Sequence, residues 1–127
     1  MAEIIETRTG RTWLRDDGIV QSDGKPGAEH SVHDALENVA AIARLSRGRP
    51  RPSLVCLRHV KTISREARQY YAGPDAASAQ TAVALIVESP VSLVIGSFFL
   101  GLNRASMPLR LFASESDAVA WLRTFVR

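Results

Sequence analysis

The sequence has little cysteine: Cys56 is the single one among 127 residues, so an internal disulfide is excluded. Proteins of this size that stay folded without disulfides are typical of reducing compartments. The chain also opens on an acidic stretch, from Met1 to Glu6, rather than on the basic and then apolar pattern of a signal peptide. We therefore expect a cytoplasmic protein.

Long apolar runs are also lacking. The longest extends from Val91 to Leu102 and is interrupted by two serines and two glycines. A membrane-spanning helix needs about 20 apolar residues, so no transmembrane segment is expected.

A strong excess of one sign of charge is lacking as well. Sixteen Lys and Arg face thirteen Asp and Glu, a net charge of +3, which does not by itself indicate a nucleic-acid partner. The apolar share of 46% is typical of a globular protein. A length of 127 residues supports one core, so we expect a single domain over residues 1–127.

The N-terminal part predicts antiparallel hairpins followed by a helix. Three extended segments, 3–8, 11–15 and 19–22, are separated by turns that contain glycine. Ser31 and Asp34 then have the spacing of a capping box, which starts a helix that reaches Leu45. The predicted apolar face comprises Val32, Leu36, Val39, Ala40 and Ala43, and the polar side comprises Asp34, Glu37, Asn38 and Arg44.

The rest of the chain alternates strands and helices. Buried strands are expected at 54–57, 81–87 and 108–112. Helices are predicted after Ser64, after Ser89 and after Ser114, the last burying Val119, Leu122 and Trp121. Helical connections between strands favour a parallel arrangement. The predicted fold class is α/β: a single-layer mixed sheet, antiparallel in the N-terminal hairpins and parallel in the C-terminal strands, with helices packed on it.

Residues 54–67, Leu-Val-Cys-Leu-Arg-His-Val-Lys-Thr-Ile-Ser-Arg-Glu-Ala, resemble the strand-to-helix corner of SpoIIAA-like proteins, the STAS or anti-anti-sigma fold. The ending, 108–112 followed by Ser-Glu-Ser-Asp-Ala-Val-Ala-Trp-Leu, is similar to small bacterial proteins of the STAS/SEC14 type. The resemblance in layout covers nearly the whole chain. It implies a SpoIIAA-like fold and a regulatory module that acts through protein contacts.

One feature of that family does not carry over. Anti-anti-sigma proteins have an Asp-Ser pair followed by Ser-Gly at this corner, and a partner kinase phosphorylates the first Ser. Here Ser64 stands at the Asp position, Arg65 at the phosphorylated Ser, and Glu66 with Ala67 where Ser-Gly would be. Phosphorylation at Arg65 is excluded, and Ser64 is interpreted as a helix cap.

Candidate chemical sites are weak. His30 and His33 beside Asp34 lack further ligands for zinc, so no metal site is predicted, and no cofactor. Cys56 and His59 would not face each other reliably at the end of a strand, so we predict no enzyme activity. Residues 47–50, Arg-Gly-Arg-Pro, match the core of a minor-groove hook, but the segment is favoured as a connector, and no nucleic-acid partner is expected.

The helix 90–102 is apolar on more than one face. A stripe of Val91, Val94, Ile95, Phe98 and Leu102 is expected to cover the sheet, while Leu93, Phe99 and Leu100 lie off it. Something besides the sheet should contact this helix. A deeply buried helix, a homodimer contact and an apolar ligand groove all remain open, with Leu93, Phe98, Phe99 and Leu100 as the candidate residues.

A basic corner is the second candidate surface, since ligands of open α/β sheets bind beyond the carboxyl ends of strands. Its residues are Arg58, Lys61, Ser64, Arg65 and Arg68, which we expect to contact a partner or an anionic group. The leading hypothesis is a non-enzymatic regulatory module with a protein partner. The alternative is a carrier or sensor of a small apolar, lipid-like ligand.

Overall fold

The computed structural model describes residues 3–102 and 107–126. In these ranges the strands are β1 (Ile4–Thr7), β2 (Gly10–Leu14), β3 (Val20–Gly24), β4 (Ala28–His30), β5 (Arg51–Cys56), β6 (Val60–Ile63), β7 (Gln80–Ile86) and β8 (Leu109–Phe112). The helices are α1 (Val32–Ser46), α2 (Arg65–Tyr71), α3 (Pro74–Ser78), α4 (Pro90–Leu102) and α5 (Glu115–Arg123).

The main sheet is mixed, as the sequence predicts. Its six strands have the order β1-β2-β3-β5-β7-β8. The strands β1, β2 and β3 pair antiparallel, and β3, β5, β7 and β8 pair parallel. The three predicted core strands thus lie side by side and run in one direction. The α/β fold class with its antiparallel N-terminal part is confirmed.

A second, two-stranded parallel sheet was not predicted. It pairs β4 with β6, and β6 lies inside the corner between β5 and α2. These strands are only three and four residues long, and in β6 the two middle residues are exposed while Val60 and Ile63 are buried. In segments this short, the order of apolar and polar residues does not distinguish a strand from a turn.

The predicted serine caps are confirmed. The hydroxyl oxygens of Ser31, Ser64 and Ser114 each accept a hydrogen bond from the backbone amide three residues further on, at the starts of α1, α2 and α5. The hydroxyl oxygen of Ser89 likewise accepts from the amide of Ser92 at 3.0 Å, at the start of α4. Each bond satisfies one of the amides that a helix start leaves free.

The predicted apolar face of α1 is wrong except for Val39, which is buried. Leu36, Ala40 and Ala43 are exposed, while Asp34 is buried and Asn38 is half-buried. The buried face comprises Asp34, Ala35, Val39, Ala41, Ile42, Leu45 and Ser46. The helix is rotated because Asp34 and Asn38 bond to Arg8 and Thr9 in the turn after β1 and to Tyr71 on α2. Two polar residues therefore belong to its inner face.

The predicted core stripe of α4 is also wrong, except for Ile95. Val91, Val94 and Phe98 are exposed, and the side chain of Leu102 lies outside the described residues. The residues that face inward are Ser92, Ile95, Gly96 and Phe99. A Cβ atom at Gly96 would lie 3.0 Å from the side chains of both Leu111 and Val87, so this helix approaches the sheet at its smallest residue.

The two faces of the main sheet have separate cores. On one face, α5 packs Ala118, Val119 and Leu122 against β5 and β7. On the other, α1 packs against β1–β3, and α4 packs against β6 and β8. Trp121 is half-buried beside the core formed under α5. Over the described residues, no helix is long and apolar enough to cross a membrane.

The close approach of α4 predicts opposite effects at its two glycines. Gly101 is exposed, and among the described residues no atom lies within 4 Å of a Cβ built there, so Gly101→Ala should raise the free energy of unfolding by about 0.5–1 kcal/mol. Gly96→Val should lower it by about 1–3 kcal/mol because Leu111 and Val87 must move. Urea unfolding measures both, and equal effects at the two positions would contradict this orientation of α4.

Candidate functional site

The outer face of α4 is apolar and exposed. The four inward residues occupy an arc of about 100°, given 3.6 residues per turn, and the other described side chains of the helix point away from the sheet. The large exposed ones are Val91, Leu93, Val94, Phe98 and Leu100, with Val94 exposed to 68% and Phe98 to 46%. Soluble proteins rarely leave so many neighbouring apolar groups in water without a function.

Ser92 holds the start of this helix against the end of β7. Its hydroxyl oxygen accepts hydrogen bonds from the amides of Glu88 at 3.0 Å and Ser89 at 2.9 Å, and Ser92 is fully buried. The start of α4 is therefore held by hydrogen bonds between the Ser92 side chain and backbone amides. The side chains on the outer face of the helix take no part in these bonds.

The basic corner adjoins that apolar face. The guanidinium group of Arg68 donates to the carbonyl oxygen of Ile63 at 2.8 Å and lies 4.3 Å from the centre of the Phe98 ring. Arg58 forms an ion pair of 2.9 Å with Glu88, which precedes α4. Arg68 and Arg58 thus bring the basic corner next to α4. We call the exposed side chains of α4 together with Arg58, Lys61, Arg65 and Arg68 the α4–corner surface.

Within this surface the basic residues differ in how firmly they are held. Lys61 and Arg65 are exposed, whereas Arg58 and Arg68 are half-buried and bonded. The Ser64 hydroxyl accepts from the amide of Ala67 at 3.1 Å, and the Ser64 amide donates to the carbonyl of His30 at 2.9 Å. Lys61 and Arg65 are the cations most available to another molecule.

Phe99 does not belong to the exposed surface. It is buried in the main core, and its ring meets that of Tyr71 edge to face with centres 6.2 Å apart. Of the four residues named for self-association or an apolar ligand, Leu93, Phe98 and Leu100 remain outside. Phe99 instead faces the interior between α4 and the sheet.

The other candidates from the sequence lie apart from this surface. Cys56 is buried in the core under α5, and burial raises the pKa of its thiol, which is the opposite of an activated nucleophile. His59 and His33 are exposed. Within residues 3–102 and 107–126, no three His, Cys, Asp or Glu side chains converge as metal ligands would.

Residues 47–50 form the connector between α1 and β5. Arg47 ends α1 with a left-handed backbone at φ 54°, and the amide of Arg49 donates to the carbonyl of Ser46 at 3.3 Å. The side chain of Arg51 also donates to that carbonyl, at 3.1 Å. The segment is bonded to the end of α1 rather than free to lie in a groove.

An ion pair joins α1 to the residue that follows β1: the Asp34 side chain is buried, and the Arg8 side chain is largely exposed. The guanidinium group of Arg8, just after β1, donates to both carboxylate oxygens of Asp34, and its Nε lies 2.7 Å from Oδ1. Asp34 also accepts from the amide of Ser31 at 2.8 Å, completing the capping box. The hydrogen bond from Arg8, with those from Ser31, holds the pKa of Asp34 well below its usual range.

Next to this pair, four side chains form a hydrogen-bonded group that we call the polar cluster: Thr9, His30, Asn38 and Tyr71. The amide nitrogen of Asn38 donates to the Thr9 hydroxyl at 2.9 Å and to the Tyr71 hydroxyl at 2.8 Å. The Tyr71 hydroxyl lies 2.8 Å from Nδ1 of His30. Burial raises the pKa of Tyr71 and lowers that of His30, so both groups are neutral near pH 7.

The polar cluster lines a cavity between the sheet and the helices α1, α2 and α4. Its volume is about 120 Å³, and most of its wall is apolar, including Ile42, Val83, Leu85 and Phe99.

Sequence reasoning did not find the polar cluster. Its members come from four separate segments, and Asn38 was assigned to the solvent side of α1 on the apolar pattern. The sequence contains one relevant signal, the spacing: Asn38 lies four residues after Asp34 and therefore on the same face of the helix.

Comparison with known proteins supports the fold. The family model described as "Domain of unknown function (DUF7793)" matches residues 12–126. Among curated proteins nothing matches the chain.

Two solved structures are similar over nearly their whole lengths. An uncharacterized protein from the DUF3478 family with a SpoIIAA-like fold, from Shewanella loihica PV-4, has a TM-score of 0.61 at 15% identity, covering 96% of this chain and 92% of that one. An anti-sigma factor antagonist from Mycobacterium paratuberculosis has a TM-score of 0.54 at 15% identity, covering 97% and 93%. The SpoIIAA-like, STAS-type fold that the sequence resembles is thereby confirmed.

The burial of a neutral His30 predicts an acid-sensitive stability. Its pKa in the folded chain lies below the ordinary 6.5, so below pH 6.5 the unfolded chain binds a proton that the folded chain does not. The free energy of unfolding should therefore fall as the pH drops from about 6.5 towards the folded pKa, by at most about 1.4 kcal/mol per pH unit.

His30→Phe should flatten this dependence, and His33→Phe, at an exposed position, should leave it unchanged. Urea unfolding at pH 7.0, 6.0 and 5.0 provides the measurement. The ionised carboxyl group of Asp34 does not cause a slope in this range. Because its pKa is lowered from the ordinary 3.8, its stabilising effect is present at these pH values and is lost only in more acidic solution. Equal slopes in wild type and His30→Phe would show that His30 is not buried in its neutral form.

Proposed function

The chain belongs to the DUF7793 family and has a SpoIIAA-like fold, and we propose that it is a non-enzymatic regulatory module of the STAS type that acts by binding another protein. Its contact surface is the α4–corner surface. One of the structural relatives is an anti-sigma factor antagonist, a protein named for its action on other proteins. That name supports the class of function and leaves the partner of this chain open.

The exposed apolar side of α4 is the observation that carries the proposal. Five large apolar side chains lie on one helix in which no residue is charged. The burial of one such side chain contributes about 1.5–3 kcal/mol, so a partner that covers three of them has the driving force for specific association. An amphipathic helix or an apolar groove of the partner fits such a helix face.

The charges at the border of this face favour a different protein over a second copy. Lys61, Arg65 and Arg68 are basic, and Glu88 is occupied by Arg58. A partner with acidic groups around an apolar contact complements this border. In a two-fold dimer the same patch would meet itself and would bring basic residues of the two copies towards each other. A homodimer is therefore the second candidate.

Regulation differs from that of the phosphorylated anti-anti-sigma proteins. Arg65 stands where their phosphorylated Ser stands, and the hydroxyl of Ser64 accepts the capping bond of α2. By the resemblance of this corner, a permanent positive charge thus occupies the position of the phosphorylated Ser in anti-anti-sigma proteins. We infer that binding is set by the fixed basic corner and not by a phosphate at Arg65.

The environment of Cys56 is consistent with the proposed non-enzymatic role. Cys56, the candidate thiol, is buried with a raised pKa. A reduced, buried cysteine is also compatible with a reducing compartment, and we propose that the protein is cytoplasmic.

Phe98→Glu tests the apolar part of the surface. The change places a charge at the centre of the proposed contact. The amount of partner that the tagged protein recovers from source lysate should therefore be at least tenfold lower than with wild type. Leu36→Glu is the matched control, because Leu36 is exposed to 45% on α1 and Phe98 to 46% on α4. Pull-down with quantitative mass spectrometry measures both, and equal recovery with both variants would contradict the proposal.

The same purified proteins distinguish the two kinds of partner. Sedimentation at 0.1–1 mM should find wild type and Phe98→Glu both monomeric if the partner is another protein. A wild-type dimer that dissociates with Phe98→Glu would instead assign the surface to self-association and overturn the choice of a different partner.

Arg65→Glu tests the basic corner. Arg65 is exposed, so the melting temperature should change little, while the on-rate for an acidic partner should fall about tenfold and lose its dependence on salt. Arg49→Glu makes the same change of charge at an exposed position of the connector and serves as the control. Biolayer interferometry at 50 and 300 mM NaCl with the recovered partner measures both. Identical on-rates for the two variants would exclude the corner from the contact.

A further inference from the structure

Three arginines alternate from the end of α1 to the first residue of β5, and we call them the arginine cluster: Arg47, Arg49 and Arg51. The backbone that carries them is held by hydrogen bonds. The amide of Arg49 donates to the carbonyl oxygen of Ser46 at 3.3 Å, and the amide of Arg51 donates to that of Ala79 at 3.1 Å. The connector therefore keeps three positive charges close together.

No carboxylate balances the arginine cluster in the described part of the chain. Within residues 3–102 and 107–126, no ion pair includes one of its members. Burial, and then the neighbouring charges of Arg49 and Arg47, lower the pKa of Arg51. Like charges gathered without a counter-charge are more typical of a site that an anion completes than of a solvated surface.

The arginine cluster borders an open pocket at the amino ends of β5 and β7. Its volume is about 270 Å³, and its wall includes Arg49 and Arg51 beside the apolar residues Pro50, Pro52 and Phe125. The engineered apolar cavity that binds benzene is smaller, at about 150 Å³. The pocket therefore has room for an anionic group attached to a small ring.

The acidic residues of the turn before β3 do not neutralise the pocket. Asp17 precedes the wall residue Gly18, and its carboxylate forms ion pairs with Arg15 at 3.2 Å and with Arg123 at 3.4 Å. Asp16 is exposed to solvent, which screens its charge. The arginines of the wall thus keep their positive charge for another group.

We propose that this pocket binds a small organic phosphate, with the phosphoryl group on Arg49 and Arg51 and the apolar part against Phe125. A guanidinium group donates parallel hydrogen bonds to a phosphate. Among the described residues, the side chain of Arg51 bonds only through Nε, to the carbonyl of Ser46, so its Nη donors remain available. A phosphomonoester carries about −1.5 to −2 charges at pH 7 and suits a cluster of three cations better than a carboxylate does.

This site is independent of the proposed function. The arginine cluster lies at the amino end of β5, and the α4–corner surface begins beyond its carboxyl end. The strand has six residues, which separate the two sites by about 20 Å at 3.3 Å per residue. Loss of one site should leave the other intact.

Three probes test the ligand class: phenyl phosphate, inorganic phosphate, which lacks the ring, and benzenesulfonate, which carries a single charge. Titration of ¹⁵N-labelled protein at pH 7.0 and constant ionic strength, followed by backbone amide shifts, gives a dissociation constant for each. Phenyl phosphate should bind at least about fivefold more tightly than either of the others, with saturable shifts at residues of the pocket wall.

Arg49→Gln removes one charge of the cluster and should weaken the binding of phenyl phosphate at least about fivefold. Arg49 is exposed, so the variant should fold as wild type does. Arg11→Gln is the matched control: it removes the same charge at an exposed position of β2 and should change the dissociation constant less than about twofold. Equal weakening by both variants would indicate a general attraction of anions and would overturn the site.

A second measurement needs no variant. The side-chain Nε–Hε signals of Arg49 and Arg51 in the wild type should shift on saturation with phenyl phosphate, and that of Arg11 should stay constant. Absence of saturable shifts at 20 mM phenyl phosphate would overturn the site. Tighter binding of benzenesulfonate would overturn the ligand class, and tighter binding of a short DNA duplex would overturn it in favour of a nucleic-acid contact.

Discussion

The contact of Gly96 with the sheet determines which side of α4 faces water. A Cβ at Gly96 would lie 3.0 Å from the side chains of Val87 and Leu111, which would have to move, and the buried hydroxyl of Ser92 fixes the same face one turn earlier. With these two small residues on the inner face, Ile95 and Phe99 pack inward beside them, and the other large apolar residues of the helix lie on its outer side. The exposed apolar face is thus a consequence of close packing and not a failure to bury hydrophobic residues.

A similar rotation of α1 places polar residues on its inner face. Asp34 and Asn38 face inward because Arg8, Thr9 and Tyr71 bond to them, and the leucine of the expected core face, Leu36, lies in water. Asn38 on this inner face belongs to the polar cluster and lines the cavity between the helix and the sheet.

The sequence predicts the order of elements better than the orientation of helices. Glycine-containing turns, serine caps and continuous apolar runs depend on local chemistry, and they located the hairpins, the parallel core strands and the starts of α1, α2, α4 and α5. The orientation of α1 and α4 depends on distant partners such as Arg8 and Leu111, which no local pattern contains. The apolar count of α4 did indicate that the helix has more than one partner, and Phe98 and Leu93 remain candidates on its outer face.

The basic corner and the apolar helix were separate in the sequence and are joined in space by Arg68 over the ring of Phe98. The central claim is that they form one surface for one partner protein. Photocrosslinking in the source cells, with p-benzoylphenylalanine at position 98 or at position 36, tests it most directly. The account predicts one major adduct from position 98, lost in the presence of Arg65→Glu and absent from position 36. The same adduct from both positions, or an adduct from position 98 that persists with Arg65→Glu, would contradict it.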